Sequence, residues 1–426
     1  MIDINLIREN PEKVKELLKR KLWDTDFTEL LAWDRQKKEL IQVVEGSKAE
    51  MNKLSASVPA KKKAGEDVTP IFAQVKEIAK NISQKEEELR EIEKKIFDFL
   101  ACLPNIPDED LLGGGKENNK VIRVVNEKPK FDFPLKDHVQ LAESLGLVDY
   151  ERAAKIAGRG AWIYTGLGAQ LEWALVNFFI SEHLKDGYQF ILPPHLLNEE
   201  SGFVAGQFPK FREDVFWLEG LDPQRFLLPT AETALVNLHR NEIFKEEELP
   251  KKYFAYTPCY RREAGSYRSE ERGMIRGYQF NKVEMVQYTK PEDSDAAFEE
   301  LVGKAESLVK KLGLHYRVSK LAAGDISHAM ARTYDIEVYI PSIDIYKEVS
   351  SASNGRDYQP RRGMIRYRDK ETGKTKFVHT LNASGLATSR IFPALLEQNQ
   401  QADGSVLIPE VLQPFMGGLK VLKPIK

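Results

Sequence analysis

The stretch that decides the fold is Thr257-Pro-Cys-Tyr-Arg-Arg-Glu-Ala-Gly-Ser-Tyr-Arg-Ser-Glu-Glu-Arg-Gly-Met-Ile-Arg-Gly-Tyr-Gln-Phe-Asn-Lys-Val-Glu284. It predicts a strand, a long charged loop with glycines, and a return strand. Side chains alternate between the two faces of a strand, so Arg261 and Glu263 share one face while Arg262 projects from the other. The return strand presents four side chains on one face: Tyr278, Phe280, Lys282 and Glu284.

The predicted hairpin thus combines cations, two carboxylates and a flat aromatic ring on one surface. Arginine suits phosphate because its planar guanidinium is always charged, and a ring on a sheet face can stack on a purine. These features favour a nucleotide site under an arginine-rich loop. A charged hairpin is also typical of a solvated sheet edge, so the residue types alone leave both interpretations open.

The same stretch resembles motif 2 of class II aminoacyl-tRNA synthetases, above all that of the seryl-tRNA synthetase family. In that family a Phe-Arg-x-Glu strand, a loop and a Gln-Phe-x-Lys-Val-Glu strand hold ATP. The resemblance covers nearly the whole chain. It implies an α+β fold in which an antiparallel coiled-coil arm precedes a catalytic domain built on an antiparallel β-sheet flanked by helices.

Bulk properties restrict the class of protein. The 426 residues suit two or three domains, and 42% of them are apolar. A net charge of −2 means that any RNA would be met by local basic patches. The two cysteines, Cys102 and Cys259, fit a reducing compartment and exclude a zinc site built from cysteines. The start lacks signal-peptide features and no apolar run reaches about 18 residues, so we expect a cytoplasmic protein.

Residues 1 to about 105 predict a helical arm. Asn10-Pro11 opens a helix that ends near Arg20, and longer helices follow at about 27–55 and 70–100. The second long helix carries a coiled-coil seam of Ile71, Val75, Ile78, Ile82, Leu89, Ile92, Ile96 and Phe99. The first carries a less regular seam of Leu40, Val44, Met51 and Leu54, interrupted by Ser47.

The segment between the two long helices, 55–70, contains two prolines, a glycine and three consecutive lysines, Lys61 to Lys63. It predicts a break, so that the helices fold back as an antiparallel hairpin about 45 Å long. By itself such an arm could equally be a dimerisation coil. The resemblance implies instead that it binds tRNA, with the lysines contacting phosphates.

A Pro/Gly hinge at 103–115 marks the domain boundary, which we place between an N-terminal domain, 1–105, and a catalytic domain, 106–426. The amphipathic helix predicted at 171–184 and the strand 187–195, which ends in Pro-Pro-His, resemble motif 1. This is the element through which class II synthetases dimerise, so the resemblance implies a homodimer.

Pro229-Thr-Ala-Glu-Thr begins a helix, with Thr230 as its N-cap and Glu232 in its first turn. Capping alone explains this composition. The resemblance implies that the Thr-Ala-Glu triplet binds serine. A carboxylate pair of Glu232 and Glu284 would suit the ammonium and the hydroxyl of that substrate. The implied serine site comprises Thr230, Ala231, Glu232, Arg261, Glu284 and Ser384.

Lys347-Glu-Val-Ser-Ser follows a β-rich run, and the matching family motif binds ATP and magnesium. Glu348 and Ser351 then become the ligands of Mg²⁺. Simple alternation would pair Glu348 with Ser350 on one face, and only a β-bulge would bring Ser351 to the side of Glu348.

The run 379–400 resembles motif 3, a strand, a Gly turn and a helix that carries Arg390. The implied catalytic residues are Arg261 and Arg390. The implied ATP site comprises Arg261, Arg262, Glu263, Gly277, Phe280, Glu348, Val349, Ser350, Ser351 and Arg390.

The implied function is attachment of L-serine to tRNA through seryl-adenylate, with ATP and Mg²⁺. Partners would be tRNA(Ser), with tRNA(Sec) as a further candidate, and no membrane. The chain ends soon after Arg390, which leaves no room for the C-terminal anticodon-binding domain of related synthetases. Two alternatives stay open: a ligase that loads a carrier protein, whose known members lack the arm, and an inactive RNA-binding paralogue.

The chain departs from the family pattern in three places. Gly277-Tyr278 stands where the family has Val-His, on the adenine side of the site. His328 lies in a segment, 324–331, that differs from the usual Gly-Asp-Met/Leu-Gly/Ser-Phe, and we interpret it as a structural residue. Pro393 falls within the motif 3 helix, which it would kink unless it lies in the first turn.

Overall fold

A computed structural model describes residues 1–263 and 273–425. The middle of the predicted arginine-rich loop, 264–272, therefore lies outside the described residues. The chain divides into two compact units, one formed by Ile2–Glu16 and Asp24–Leu103, the other by Met1, Leu17–Trp23 and Pro104–Lys426. No helix in the described ranges is long and apolar enough to cross a membrane.

The helical unit contains the predicted hairpin. Its helices are α1 (Ile4–Glu9), α2 (Pro11–Arg20, whose last turn belongs to the other unit), α3 (Thr28–Lys63) and α4 (Thr69–Cys102). The side-chain nitrogen of Lys37 lies 2.9 Å from a carboxylate oxygen of Glu93, and that of Lys48 lies 2.7 Å from Glu86. Because one number rises as the other falls, α3 and α4 are antiparallel, and the predicted hairpin is confirmed.

The seam of this hairpin follows the predicted spacing. Leu40 and Val44 of α3 are buried. The buried side chains of α4 from the predicted seam are Ile71, Ile82, Ile92 and Ile96. With 36 residues in α3, the arm is about 54 Å long at 1.5 Å per residue.

The break between the two long helices is shorter than predicted. Helix α3 continues past position 55 to Lys63 with Pro59 inside it, so Lys61 to Lys63 form its last turn instead of a loop. Positive side chains are favourable at a helix C-terminus, where the backbone carbonyls carry partial negative charge. Pro70 lies in the first turn of α4, where the missing N–H costs no helical hydrogen bond.

The catalytic unit is built on a sheet whose strand order is β1-β11-β12-β13-β16-β10-β9-β4, with the numbers given in chain order. These strands are β1 (Lys120–Val125), β4 (Gln189–Ile191), β9 (Lys251–Tyr260), β10 (Gln279–Thr289), β11 (Tyr316–Lys320), β12 (Arg332–Ile340), β13 (Ile345–Arg356) and β16 (His379–Ala387). Neighbouring strands are antiparallel, as predicted, except that the edge strand β4 runs parallel to β9.

Shorter strands and the helices surround this sheet. The remaining strands are β2 (Val148–Asp149), β3 (Ile163–Tyr164), β5 (Leu196–Asn198), β6 (Trp217–Leu218), β7 (Arg225–Leu227), β8 (Ile243–Lys245), β14 (Arg366–Arg368), β15 (Thr375–Phe377), β17 (Val406–Leu407) and β18 (Val421–Leu422). The helices are α5 (His138–Ser144), α6 (Tyr150–Ala157), α7 (Leu167–Lys185), α8 (Glu199–Val204), α9 (Ala231–Leu235), α10 (Ser294–Lys311), α11 (Tyr358–Gly363) and α12 (Thr388–Gln398).

Strand β10 separates the core from the site. Val283 and Met285 belong to the main apolar core, which also contains the buried faces of α7, α10 and α12. Because side chains alternate along a strand, Lys282 and Glu284 project from the opposite face. It is on this second face that the sequence predicts the nucleotide site.

The helix and strand that resemble motif 1 also form. Helix α7 begins four residues before the predicted start at 171 and ends one residue after the predicted end at 184, and the predicted strand shortens to β4. Its three residues pair with Tyr253, Phe254 and Ala255 of β9.

Within the catalytic unit, buried polar side chains hold the segment Leu17–Trp23 and the stretch around Asn105 in place. The ammonium of Lys21 donates to the carbonyl oxygens of Met330 at 2.7 Å, His328 at 3.2 Å and Asn105 at 3.3 Å. Burial lowers the pKa of Lys21 well below its usual value. The side-chain amide of Asn105 donates to the carbonyls of Ala329 at 3.0 Å and Gly355 at 2.8 Å.

We predict that Asn105→Ala destabilises the catalytic unit. The substitution leaves two carbonyls without this donor, and an unsatisfied buried polar group costs roughly 1–3 kcal/mol. Urea unfolding followed by tryptophan fluorescence measures the change. Gln224→Ala, which truncates an exposed amide, is the matched control; equal midpoints for the two variants would contradict the role given to Asn105.

Candidate active site

A polar cavity of about 940 Å³ opens on the second face of the sheet. Its carboxylates are Glu232, Glu284, Asp325, Asp335, Glu337 and Glu348. Its cations are Lys116, Arg261, Arg276, Lys282, Lys347 and Arg390. The hairpin, the helix start at 230 and the motif 3 helix, which are distant in sequence, therefore meet in one place.

One end of the cavity is formed by the start of α9. Thr230 is the N-cap, as predicted, and its hydroxyl oxygen accepts a hydrogen bond from the backbone N–H of Glu232. The same oxygen accepts a 2.6 Å hydrogen bond from the ammonium of Lys282. Ala231 is fully buried, so its side chain packs beneath this end of the cavity.

The two carboxylates of the predicted serine site accept hydrogen bonds from the same side-chain amide. The side-chain nitrogen of Asn382 lies 3.0 Å from a carboxylate oxygen of Glu284 and 3.2 Å from one of Glu232. The hydroxyl of Ser384 donates to Glu284 at 3.3 Å. Ser384 and Glu284 lie opposite each other because β16 pairs with β10 in this register.

Glu232 is held in an environment that disfavours its charge. Burial, followed by the negative charge of Glu284, raises the pKa of Glu232 to about 7, against the lowering effect of Lys282. Its carboxylate also accepts a 2.8 Å hydrogen bond from Gln359. Near neutral pH this carboxyl group therefore changes its charge readily.

Two arginines also line the cavity. The guanidinium of Arg261 donates to the carbonyl of Pro229 at 3.2 Å and lies 5.2 Å from the ring centre of Phe280. Arg390, in the first turn of α12, donates to the carbonyl of Glu348 at 2.9 Å, and its guanidinium lies 3.4 Å from the Glu348 carboxylate. Both cations thus face a space large enough for a charged ligand.

Strand β13 contains the β-bulge that the sequence left open. Ile336 of β12 pairs with Ser350, but the next residue, Glu337, pairs with Glu348, so Val349 is the extra residue. The bulge brings Glu348 and Ser351 to the cavity together. Val349 turns into the apolar core.

Ser350 lies behind this strand, whereas Asp335 of β12 lines the cavity. The hydroxyl of Ser350 is fully buried and donates to the carbonyl of Ser384 at 2.6 Å, away from the cavity lining. The hydroxyl of Ser351 donates to the carboxylate of Asp335. Burial, and then the charge of Glu348, raises the pKa of Asp335 well above its usual value.

The residues that follow β9 depart from strict alternation, since the strand ends at Tyr260. Glu263 has a φ of +47° and forms a 2.7 Å ion pair with Arg276 at the edge of the cavity. Arg262 points elsewhere: its guanidinium donates to the carbonyl of Glu213 at 3.0 Å, and it does not line the cavity shared by Arg261 and Arg390.

Gly277 stands in close contact with Trp162. A Cβ atom at this position would lie 2.2 Å from the indole ring, so the valine that the family pattern has here does not fit unless Trp162 moves. Tyr278 precedes β10, and its ring meets that of Phe216 edge-on at 6.4 Å. At these two positions the surroundings of the hairpin are therefore built differently from the family pattern.

The other two departures are accommodated. The imidazole of His328 is buried and meets the Trp23 ring edge-on at 5.6 Å, and burial lowers its pKa to about 3. Pro393 is the sixth residue of α12, beyond the first turn, and the helix nevertheless continues to Gln398.

Sequence reasoning missed several residues of this site. The sequence predicts the face on which Lys282 lies but no role for it. Its spacing of two residues from both Phe280 and Glu284 is the signal that it belongs to the site. Asn382 and Gln359 make contacts that span 98 and 127 residues along the chain, and no local pattern indicates them.

Comparison with known proteins agrees with this architecture. The model of the tRNA synthetase class II core domain (G, H, P, S and T) matches residues 216–399. The fold and the site thus define the catalytic unit as that of a class II aminoacyl-tRNA synthetase. The model of the seryl-tRNA synthetase N-terminal domain matches residues 1–107.

Similarity over the whole chain identifies the family within this class of synthetases. A serine–tRNA ligase 2 from Clostridium acetobutylicum is 62% identical over 98% of this chain and 99% of its own. The crystal structure of the Pyrococcus horikoshii seryl-tRNA synthetase complexed with ATP superposes with a TM-score of 0.92 at 34% identity over all of both chains. The Naegleria fowleri cytoplasmic enzyme in complex with AMP superposes at 0.89 with 29% identity. The chain belongs to the seryl-tRNA synthetase family.

We predict that Glu232→Gln changes how stability depends on pH. Since the pKa of Glu232 in the folded protein is about 7 against an ordinary 4.5, the folded state keeps a proton that the unfolded chain has lost. Wild-type stability should therefore fall as the pH rises from 5 to 8, and the glutamine variant should lack this part of the loss. The difference should be on the order of 1–3 kcal/mol.

Urea unfolding at pH 5 and pH 8 measures this difference. Glu213→Gln, whose side chain is 92% exposed, is the control for the general effect of removing a carboxylate. Identical pH dependence in the wild type and Glu232→Gln would show that Glu232 titrates normally.

Proposed function

We propose that this chain attaches L-serine to tRNA in two steps, with seryl-adenylate as the intermediate. The observation that carries the proposal is the arrangement on one sheet face: a carboxylate pair and two arginines line the same cavity. The carboxylates suit an ammonium and a hydroxyl, and the arginines suit phosphates. The adenylate would lie between these groups.

In the first step the serine carboxylate attacks the α-phosphate of ATP, and pyrophosphate leaves. Arg261 and Arg390 would neutralise the charge that develops on the phosphorus-bound oxygens. No side-chain nucleophile is required, because both reactants are bound side by side and the reaction becomes effectively intramolecular. Phe280 would offer its ring to the adenine, and Glu263, Gly277 and Val349, which line the same space as Arg390, would complete the ATP site. The side chains of Arg262 and Ser350 point away from the cavity, so we assign neither of them a contact with ATP.

The donor set of β13 fits Mg²⁺. Glu348 supplies a carboxylate and Ser351 a hydroxyl, both oxygen ligands of the kind that this ion prefers, and the bulge at Val349 turns both toward the cavity. When bound with ATP, Mg²⁺ would screen the charges of the phosphates. Asp335 would orient the Ser351 hydroxyl through its hydrogen bond.

In the second step a hydroxyl of the terminal ribose of the tRNA attacks the carbonyl carbon of seryl-adenylate, the ester bond forms, and AMP leaves. The N-terminal domain, 1–105, would hold the tRNA, and the catalytic domain, 106–426, would carry the chemistry. Lys61 to Lys63, which end α3, are cations able to contact phosphates. The substrate would be tRNA(Ser), and tRNA(Sec) is a further candidate because recognition by an arm reads RNA shape.

The acting form would be a cytoplasmic homodimer. Large apolar side chains are exposed on α7 and beyond the edge strand β4, including Trp173 at 53%, Leu184 at 52% and Leu192 at 74%. Exposed apolar groups at a sheet edge favour burial against another chain. A second copy of this chain would cover them.

One assay separates this function from the alternatives: exchange of pyrophosphate into ATP, compared across amino acids, followed by charging of tRNA. We expect exchange that depends on serine and transfer to tRNA. A ligase for a carrier protein would exchange without charging tRNA. An inactive RNA-binding paralogue would do neither.

We predict that Arg261→Ala lowers serine-dependent exchange by about a hundredfold or more, since a preformed cation is lost where charge develops. Binding of tRNA should change little, because Arg261 lies in the catalytic unit. The control is Arg240→Ala, which removes an arginine paired with Glu200 on the surface. Near-normal exchange by Arg261→Ala would overturn its assignment.

We also predict that shortening the arm separates the two steps. Replacing residues 49–85 with a short Gly/Ser linker joins Lys48 to Glu86, which lie side by side. Exchange should persist, because these residues contain none of the catalytic ones. Charging of tRNA should collapse, and Lys61, Lys62 and Lys63→Ala should weaken it in part. Full charging by the shortened protein would mean that the outer arm does not bind tRNA.

A further inference from the structure

Lys282 is a buried lysine inside the site, with only 6% of its surface exposed. Its ammonium lies 2.5 Å from a carboxylate oxygen of Glu284 and 2.6 Å from the hydroxyl oxygen of Thr230. Taking an ammonium out of water is costly unless it is paired and hydrogen-bonded. Both requirements are met here, by one residue of the same strand and by the N-cap of α9.

The two carboxylates of the site therefore have different neighbours. Glu284 accepts hydrogen bonds from the amide of Asn382 and the hydroxyl of Ser384, and it is ion-paired with Lys282. The carboxylate of Glu232 accepts from the amides of Gln359 and Asn382. One carboxylate is thus neutralised by a contact cation, while the hydrogen-bond donors to the other are uncharged.

We propose that Lys282 determines the specificity for serine over alanine by giving these two carboxylates different roles. It neutralises Glu284, which then serves as the hydrogen-bond acceptor for the substrate hydroxyl, and it leaves Glu232 as the counter-ion of the substrate ammonium. This inference rests on the proposed function and deepens it. Lys282 is a positioning residue, because it acts on the substrate through Glu284 and Thr230.

The physical argument concerns competition for the ammonium. Without Lys282, two closely spaced carboxylates would share one substrate ammonium, and either could bind it. Glu284 would then also lose the contact that fixes its orientation toward Ser384. A site rejects an analogue without a hydroxyl only when its own polar group is held in place to bind that hydroxyl and is left unpaired by the analogue. Serine should lose more than alanine when Lys282 is removed.

Pyrophosphate exchange by the full-length protein, with serine and with alanine as substrates, tests this. Lys282→Met keeps the length of the side chain and removes its charge. We expect kcat/KM for serine to fall about tenfold or more, the size expected from losing one charged hydrogen bond. Alanine should keep its kcat/KM or gain, since the pocket becomes more negative, and the KM for ATP should stay within about twofold.

The matched control is Lys252→Met, which removes a lysine from the neighbouring strand β9 where it pairs with Glu300 at 2.8 Å. It should leave the preference for serine over alanine unchanged. A second variant, Lys282→Met with Glu284→Gln, balances the charge again and guards against misfolding from an unpaired carboxylate. Its glutamine can still bond a hydroxyl, so it should prefer serine more strongly than Lys282→Met alone.

The outcomes are distinct. A parallel fall for serine and alanine in Lys282→Met, or an unchanged preference in both Lys282 variants, would overturn the role of Lys282 while wild-type exchange with serine upholds the proposed function. Absence of serine-dependent exchange in the wild type would overturn the proposed function and this inference together.

Discussion

The alternation of side chains along β10 is the constraint on which the site depends. Val283 and Met285 are buried in the apolar core, and this fixes the register of the strand. Lys282 and Glu284 must then face the cavity, because a slip by one residue would exchange the two faces. Placing an ammonium and a carboxylate in the apolar core would cost several kcal/mol for each ion. The core thus specifies the site.

Charged groups can be concentrated on this face because their hydrogen bonds are shared among several strands and helices. Asn382 of β16 links carboxylates from α9 and β10, and Gln359 of α11 ties Glu232 to Thr380. In a medium of low polarity such a network is stable when its members are satisfied and costly when one is missing. The carboxylates are therefore held in place before any ligand binds.

Patterns with a short period could be predicted from the sequence, and contacts between distant segments could not. The seam of the arm, the N-cap at Thr230 and the hairpin faces follow from local spacing. The extension of α3 through Pro59 was missed because proline is locally a helix breaker, and here the helix continues around it to Lys63. The link of Lys21 to the carbonyl of Met330 spans 309 residues, and Asn382 joins strands that meet only in the folded sheet. Such partners follow from topology, which no local pattern contains.

The bulge at Val349 shows how a single backbone irregularity arranges residues of three strands around the cavity. The extra residue lets Glu348 and Ser351 face the cavity while Val349 enters the core. It also sends Ser350 under β16, where its hydroxyl holds the carbonyl of Ser384. Ser384 in turn donates to Glu284. The residues of β13 at the bulge are thus linked by hydrogen bonds, through Ser384 of β16, to Glu284 of β10.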